Sequence, residues 1–394
     1  MKPLKGLVVL DMTRVLAGPF AAMMFADMGA EVIKVERPEG GDDTRAYPPF
    51  RNGESAYFMS LNRGKKSVTL NLKHPRGKAL LKELAQKSDV LIENFKPGTM
   101  DKLGLGYDEL KKVNPRLVYA ASSGFGQTGP YSARPAYDLI IQGMGGMMSV
   151  TGPDAHTPTK VGSSVADIFA GLFTVIGVLA ALSARERTGR GQLVDVAMLD
   201  CMVAVLENAI SRYLVNGTVP HPIGNRHPSI SPFTTLATAD GAVNIAVGNN
   251  EIWSRLCSVL DMEPFKDDPR FADNPARVEN FDELKKILEE RTTKKPSAHW
   301  LEAFDKVNVP NGPINDIAQV VGDPQVLARK MIVDVVHPVA GVMKIPGVPI
   351  KFSDTPAEVE APAPILGEHT ESVLIGLLGL SKDAVEELRR DGAI

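Results

Sequence analysis

Short apolar runs alternate with helix-forming segments through the first third of the chain. GLVVLD (6–11) is followed by PFAAMMFADMGA, with Pro19 at a suitable first helical position, and then by the strand-like EVIKVE (31–36). SVTLNL (67–72), a helix through KALLKELAQKS, DVLIEN (89–94), a helix near YDELKKV and RLVYAA (116–121) continue the series. Alternation of this kind predicts a largely parallel sheet covered by helices, a Rossmann-like α/β domain.

The middle of the chain reads as helical, through AYDLIIQGMGGMMSV and a long segment from about Ser164 to Arg187, then a strand-like QLVDVAM and a helix through DCMVAVLENAISRYL. Pro, Gly and Asn crowd VNGTVPHPIGNRHPSISP and NVPNGPIND, so linker regions are expected at 215–232 and 308–330. They divide the chain into a large domain, 1–214 with 331–394, and a smaller α+β domain, 225–330. In the smaller one PFTTLATADGAVNIAV reads as a hairpin around Asp240-Gly241, with helices near EIWSRLCSVL, FDELKKILEER and AHWLEAFDKV. MIVDVVHP and VMKIPGVPIKFS look like paired strands, followed by two short helices.

With 394 residues, 44% hydrophobic and 23% charged, and a net charge of −3, the composition is globular and carries no polybasic footprint for nucleic acid. Anionic ligands must be met locally by individual Arg, Lys or helix ends. Cys201 and Cys257 are far apart and lack metal-ligand spacing, so neither a disulfide framework nor a zinc site is expected. The apolar run before Asp11 is too short for a secretory signal, and the uncharged stretch Ile168–Ala184 is shorter than a spanning helix of roughly 20 residues. A cytoplasmic protein without membrane association is the expectation.

GFGQTG (124–129) spells G-x-G-x-x-G after a strand, the pattern of a dinucleotide site. A helix starting at Gly129-Pro130 would carry Pro135 in its interior at about 3 kcal/mol, and MGGMMSV supplies no acidic residue for a ribose. These glycines are expected to serve backbone conformation instead. In the first βαβ unit Glu36 ends the second strand, and Arg37 beside it would suit a ligand with an extra ribose phosphate.

No HExxH, P-loop or G-x-S-x-G occurs, which leaves carboxylates as the candidates for chemistry. Asp167 opens the apolar helix of GSSVADIFAGLFTVIGVLAALSA. Two accounts fit it. Ser164 and Asp167 form an S-x-x-D capping arrangement. Alternatively, a carboxylate held at a helix N-terminus in an apolar pocket is poorly solvated and well aimed, which suits a covalent nucleophile.

GLVVLDMTRVLAGPFAAMMFADMGAEVIKVERPEGGDDTR, NRGKKSVTLNLKHPRGK, DVLIENFKPGTMDKLGLGY, GFGQTGPYSARPAYDL and GEHTESVL, in this order, resemble the family III CoA-transferases of the formyl-CoA transferase type over nearly the whole chain. Within that family the succinyl-CoA:dicarboxylate enzymes, typified by the glutarate enzyme, look nearest. The resemblance implies a covalent aspartyl intermediate on Asp167 and an interlocked homodimer. It implies no permanently bound cofactor, with coenzyme A entering as substrate. It also assigns coenzyme A contacts to Val15, Arg37, Leu70, Lys73, Asn94, Phe95, Lys102, Leu103 and Tyr137. Arg37, Lys73 and Lys102 suit phosphates; Leu70 and Phe95 suit adenine or the pantetheine arm.

Three departures from the formyl-CoA enzymes stand out. Lys102 replaces an arginine and loses its bidentate geometry. Leu16 replaces a glutamine that touches the reacting acyl group, which argues against formyl or oxalyl. GNRHPS (224–229) stands where those enzymes have a glycine-rich loop, so Arg226 and His227 become candidates for a dicarboxylate's distal carboxylate, a Pro-bounded linker being the alternative. The same resemblance reaches the α-methylacyl-CoA racemases, but Ala136-Tyr137-Asp138 stands at their Gly-His-Asp, and tyrosine, with a pKa of about 10, is a poor base. A non-catalytic CoA binder is the third possibility, against which Asp167 speaks.

Overall fold

A computed structural model describes all residues, 1–394. The chain divides into two compact units, one of Met1–Met148, Lys160–Thr218 and Pro324–Ile394, the other of Ser149–Thr159 and Val219–Asp323.

The larger unit is built on six strands: β1 (Val8–Asp11), β2 (Glu31–Glu36), β3 (Lys66–Thr69), β4 (Val90–Glu93), β5 (Val118–Ser123) and β6 (Leu193–Ala197). They pair in parallel throughout, in the order β3-β2-β1-β4-β5-β6. This is the doubly wound order of dinucleotide-binding folds, and its reversal point lies between β1 and β4.

Both sheet faces are covered, which is why the strands read as nearly unbroken apolar runs. On one face Leu10, Ile33, Val68 and Leu91 pack against Leu81 and Leu84 and against the closing helices through Leu374 and Leu388. On the other, Val9, Val32, Val90 and Val118 meet helix α1 (Ala17–Asp27) and a long helix, α2 (Val165–Thr188). The two helices cross closely because Gly171 carries no Cβ; one would stand 2.8 Å from the Ala17 carbonyl oxygen. Alone among the helices, α2 is long and apolar enough to cross a membrane, longer than the uncharged stretch in the sequence suggests, yet here it forms part of the sheet's cover.

In the smaller unit the expected hairpin forms, Phe233–Ala237 pairing antiparallel with Ala242–Ala246. Asn311–Pro313 adds a third strand and helix Ile317–Gly322 follows; the next helix, Pro324–Ala328, already belongs to the larger unit. The region 308–330 is therefore structured where the sequence suggested linker. Residues Ser149–Thr159, expected in the large domain, belong to the smaller unit. Two expected helices are interrupted, one at Gly145-Gly146, where Gly146 takes φ 89°, and one at Leu206.

No helix starts at Gly129-Pro130. Gly126 and Gly129 adopt φ of 84° and 87°, and a Cβ at Gly124 would collide with that of Ala136, so the motif is a conformational device.

Candidate active site

At the carboxyl ends of β1 to β4, where the strand order reverses, the chain leaves a cavity of about 750 Å³. Loops after the four strands wall it: Met12 to Arg14, Arg37 to Asp42, Leu70 to Lys73, and Phe95 with Leu103. Lys34 to Glu36 of β2, with Gly392 and Ile394, complete the lining.

Charged residues under this cavity break the apolar pattern of the strands. Lys34 sits in the middle of β2, wholly buried, and its ammonium reaches Asp42 at 2.8 Å and the Thr13 carbonyl at 3.0 Å. Lys65 pairs with Asp11 at 2.8 Å and also donates to Pro19 O and Asn62. Arg45 grips Glu36 through two nitrogens and stacks over Phe58 at 3.6 Å. Burial alone would push the Asp42 carboxyl upward, but Lys34 and the Thr44 donors overcome it and hold it at about 2. At Lys65 burial wins, desolvation and the nearby Lys34 charge lowering it to about 8 against the pull of Asp11.

This network straps down the turn between β1 and α1. Thr13 N–H and its hydroxyl donate to Asp11, and Lys34 takes the Thr13 carbonyl. Across the reversal point, Asn94 accepts from Arg14 N–H and donates to Arg14 O, both at 2.8 Å. Val15 N–H donates to Asp42. Val15 has φ 68°, a conformation costing a β-branched residue about 1–3 kcal/mol, which these bonds hold in place.

Of the residues singled out from sequence, Arg37, Leu70, Lys73, Phe95 and Leu103 line the cavity. Val15 and Asn94 belong to the strapped turn, and Leu16 is the N-cap residue of α1. Lys102 precedes Leu103 at the end of a short helix but is not part of the wall. Tyr137 is 74% exposed, precedes the short helix Asp138–Met144, and likewise contributes nothing to the lining. Arg226 and His227 lie in the smaller unit, where the Arg226 guanidinium stacks on Phe281 and His227 Nδ1 accepts from Ser229 N–H.

Asp167 lies in the first turn of α2, half-buried. The expected capping arrangement does not form: Ser164 is the N-cap residue, but its side chain makes no cap hydrogen bond. Asp138, from the short helix Asp138–Met144, does the capping instead, its Oδ1 accepting from Ala166 N–H at 3.0 Å while Oδ2 accepts from Gln142. No backbone N–H is bonded to the Asp167 carboxylate, and burial followed by the Asp138 charge raises it to about 7. The Tyr57 phenol is raised by burial first and by the Asp167 charge second.

Sequence reasoning missed Asp138, Tyr57 and the buried ions. Lys34 carried a usable signal, a lysine at the centre of an apolar strand, since fully buried lysines are rare without a partner. Ile394 carried none.

The profile of CoA-transferase family III matches residues 4–370. The succinate–glutarate CoA-transferase of Agrobacterium fabrum is 46% identical over 391 residues, covering 97% of each chain. The acetyl-CoA:oxalate CoA-transferase of Acetobacter aceti is 45% identical, covering 93% of this chain and 94% of its own. The crystal structure of a CAIB/BAIF family protein from Brucella suis shares 44% identity and superimposes with a TM-score of 0.85 over 95% of this chain and 99% of that one. The match takes in every strand of the cavity and the helix that carries Asp167, and the chain belongs to CoA-transferase family III.

Proposed function

We propose that this CoA-transferase moves coenzyme A from succinyl-CoA, or a similar acyl-CoA, to a carboxylic acid through intermediates on Asp167. The observation that carries the reading is the free carboxylate itself. It sits at the head of a long helix whose amide is already capped by Asp138, so no local bond occupies it.

In the proposed sequence an Asp167 oxygen attacks the thioester carbonyl, the C–S bond breaks, and coenzyme A departs as thiolate, leaving an aspartyl acyl anhydride. The thiolate then attacks the aspartyl carbonyl, releasing the donor acid as carboxylate and forming an aspartyl-CoA thioester. The acceptor carboxylate attacks that thioester, forming a second anhydride and expelling thiolate, which finally takes the acceptor's acyl group and frees Asp167. Each step is an addition and elimination, with no redox change and no net proton. An anhydride keeps the acyl group activated, provided water is excluded.

Coenzyme A itself is assigned to the cavity at the strand ends, with Arg37 and Lys73 toward phosphate and Leu70, Phe95 and Leu103 toward apolar parts. Val15 and Asn94 shape the adjoining turn, Lys102 and Tyr137 flank the path of the ligand, and Leu16 adjoins the acyl group. Arg226 and His227 are assigned to the acceptor's distal carboxylate. Relatives named for glutarate and for oxalate put both acids in the acceptor panel, oxalate included despite Leu16. The working form is an interlocked homodimer, supported by large apolar side chains left exposed at Leu214, Val215 and Ile317.

The test is trapping. Incubation with succinyl-CoA followed by hydroxylamine modifies a peptide containing Asp167, read by mass spectrometry; modification elsewhere, or none, overturns the mechanism. The pH profile gives a second check. A nucleophilic carboxylate must be ionised, so kcat/KM rises with pH through about 7. Asp138→Asn keeps the capping oxygen and removes the charge, which lowers the Asp167 value and shifts that limb toward acid. A limb that stays in place removes Asp138 from the electrostatics of the site.

A further inference from the structure

We infer that Arg14 is a second phosphate-binding arginine of the cavity, paired with Arg37 across an Asp43 brace to grip a phosphate of coenzyme A. The inference rests on the placement of coenzyme A proposed above and adds to it a residue that the resemblance does not supply.

Asp43 stands between two guanidiniums: its Oδ1 accepts from Arg37 Nη2 at 2.7 Å and its Oδ2 from Arg14 Nη1 at 3.1 Å. One carboxylate neutralises one of the two cations, so the pair keeps a net positive charge at the cavity wall, where Lys73 adds a further positive charge and Glu39 an opposing negative one. Arg37 spends its Nε on Gly41 O, while Nε and Nη2 of Arg14 donate to no protein group. Those two atoms are the fork that arginine presents to phosphate oxygens.

The position of Arg14 is fixed more firmly than that of an ordinary surface arginine. Both its backbone polar groups are bonded to the Asn94 side chain, and the strained Val15 that follows is tied to Asp42. Its guanidinium lies over the Phe95 ring at 5.2 Å, on the cavity wall. An exposed arginine normally loses much of its salt-bridge value to side-chain entropy. Here the backbone straps, the aromatic platform and the Asp43 brace have already ordered it, which is what a high-affinity anion contact requires.

The experiment compares wild type, Arg14→Met, Arg14→Lys and an Arg37→Met/Lys73→Met double variant, measuring Kd for free CoA and KM for acyl-CoA and acceptor acid. Arg14→Met is expected to weaken CoA binding about tenfold or more, leave the acceptor KM within about twofold, and flatten the salt dependence of CoA binding. Arg14→Lys, a point charge without the fork, recovers only part of the loss. Repeating the measurement with 3′-dephospho-CoA identifies the phosphate: a penalty that disappears assigns the ribose phosphate, and one that persists assigns the diphosphate. CoA affinity within twofold of wild type in Arg14→Met overturns the inference. If the Arg37/Lys73 double variant also binds CoA normally, the placement of coenzyme A in this cavity falls with it; if that variant alone is impaired, only the role of Arg14 falls.

Discussion

Asp167→Asn is expected to lose CoA transfer by more than about a thousandfold while free CoA still binds within about twofold of wild type. The nucleophile of a covalent mechanism has no substitute, so its loss falls on kcat. The cavity assigned to coenzyme A is made by loops at the ends of β1 to β4 and does not use the Asp167 side chain. The same variant should be more stable than wild type at alkaline pH. Burial, aided by Asp138, raises the Asp167 carboxyl from its ordinary value near 4 to about 7. A carboxyl raised in this way contributes stability below pH 4 that is lost as pH rises through about 7. Asparagine has no charge to suppress, so the variant gains roughly 2–4 kcal/mol on wild type at pH 8–9 and little at pH 4. Urea melts at the two pH values measure the difference. Retained transfer would move the chemistry to another residue, and a pH-independent stability difference would mean the carboxyl titrates normally.

Much of the large unit was legible because its sheet strands are buried on both faces and so appear as apolar runs at regular intervals. Val9 and Leu10, adjacent in sequence, fall on opposite faces of the sheet, each in its own core. The strand order, and with it the reversal point that locates the cavity, depends on which strands pair, and no local pattern records that. The capping of α2 failed for a similar reason. Ser164 and Asp167 satisfied a local rule, but Asp138, 28 positions before the amide it caps, outcompeted them through a tertiary contact. In the region 308–330, Pro and Gly suggested linker, yet Asn311–Pro313 pairs with a strand more than 60 residues earlier. Of the cavity residues found in advance, Arg37 was visible from its place after Glu36 in the first βαβ unit, while the others came from resemblance, since Leu70 or Phe95 would otherwise pass as ordinary core. Conversely, Lys34 and Glu36 in EVIKVE were visible as charges in an apolar strand, the kind of local inconsistency that marks a site.

Lys34→Met should destabilise the large unit by about 3–5 kcal/mol, as expected when one partner of a buried ion pair is removed and the other stays. Asp42 is 2% exposed, and methionine would leave its Oδ2 without a cation and the Thr13 carbonyl without that donor. Asp11 would keep Lys65 but lose the second positive charge that, against the cost of burial, holds it below the usual carboxylate range. Lys34→Met/Asp42→Asn removes both charges and should recover at least half of the loss, which a double-mutant cycle in urea would measure. The pair also makes a signed prediction in acid. Asp42 is depressed to about 2, so its contribution is present above pH 4 and fades as pH falls toward 2, a loss the double variant should not show. A well-packed apolar pair would serve stability as well. Its retention in this enzyme is explained by what the ions hold: Asp42 accepts from Val15 N–H and Lys34 donates to the Thr13 carbonyl, on either side of Arg14. The recovered double variant should therefore be stable yet bind CoA more weakly, because the turn that aims Arg14 has lost its anchor. Recovery of stability together with wild-type CoA affinity would show that the turn keeps its shape without the ion pair.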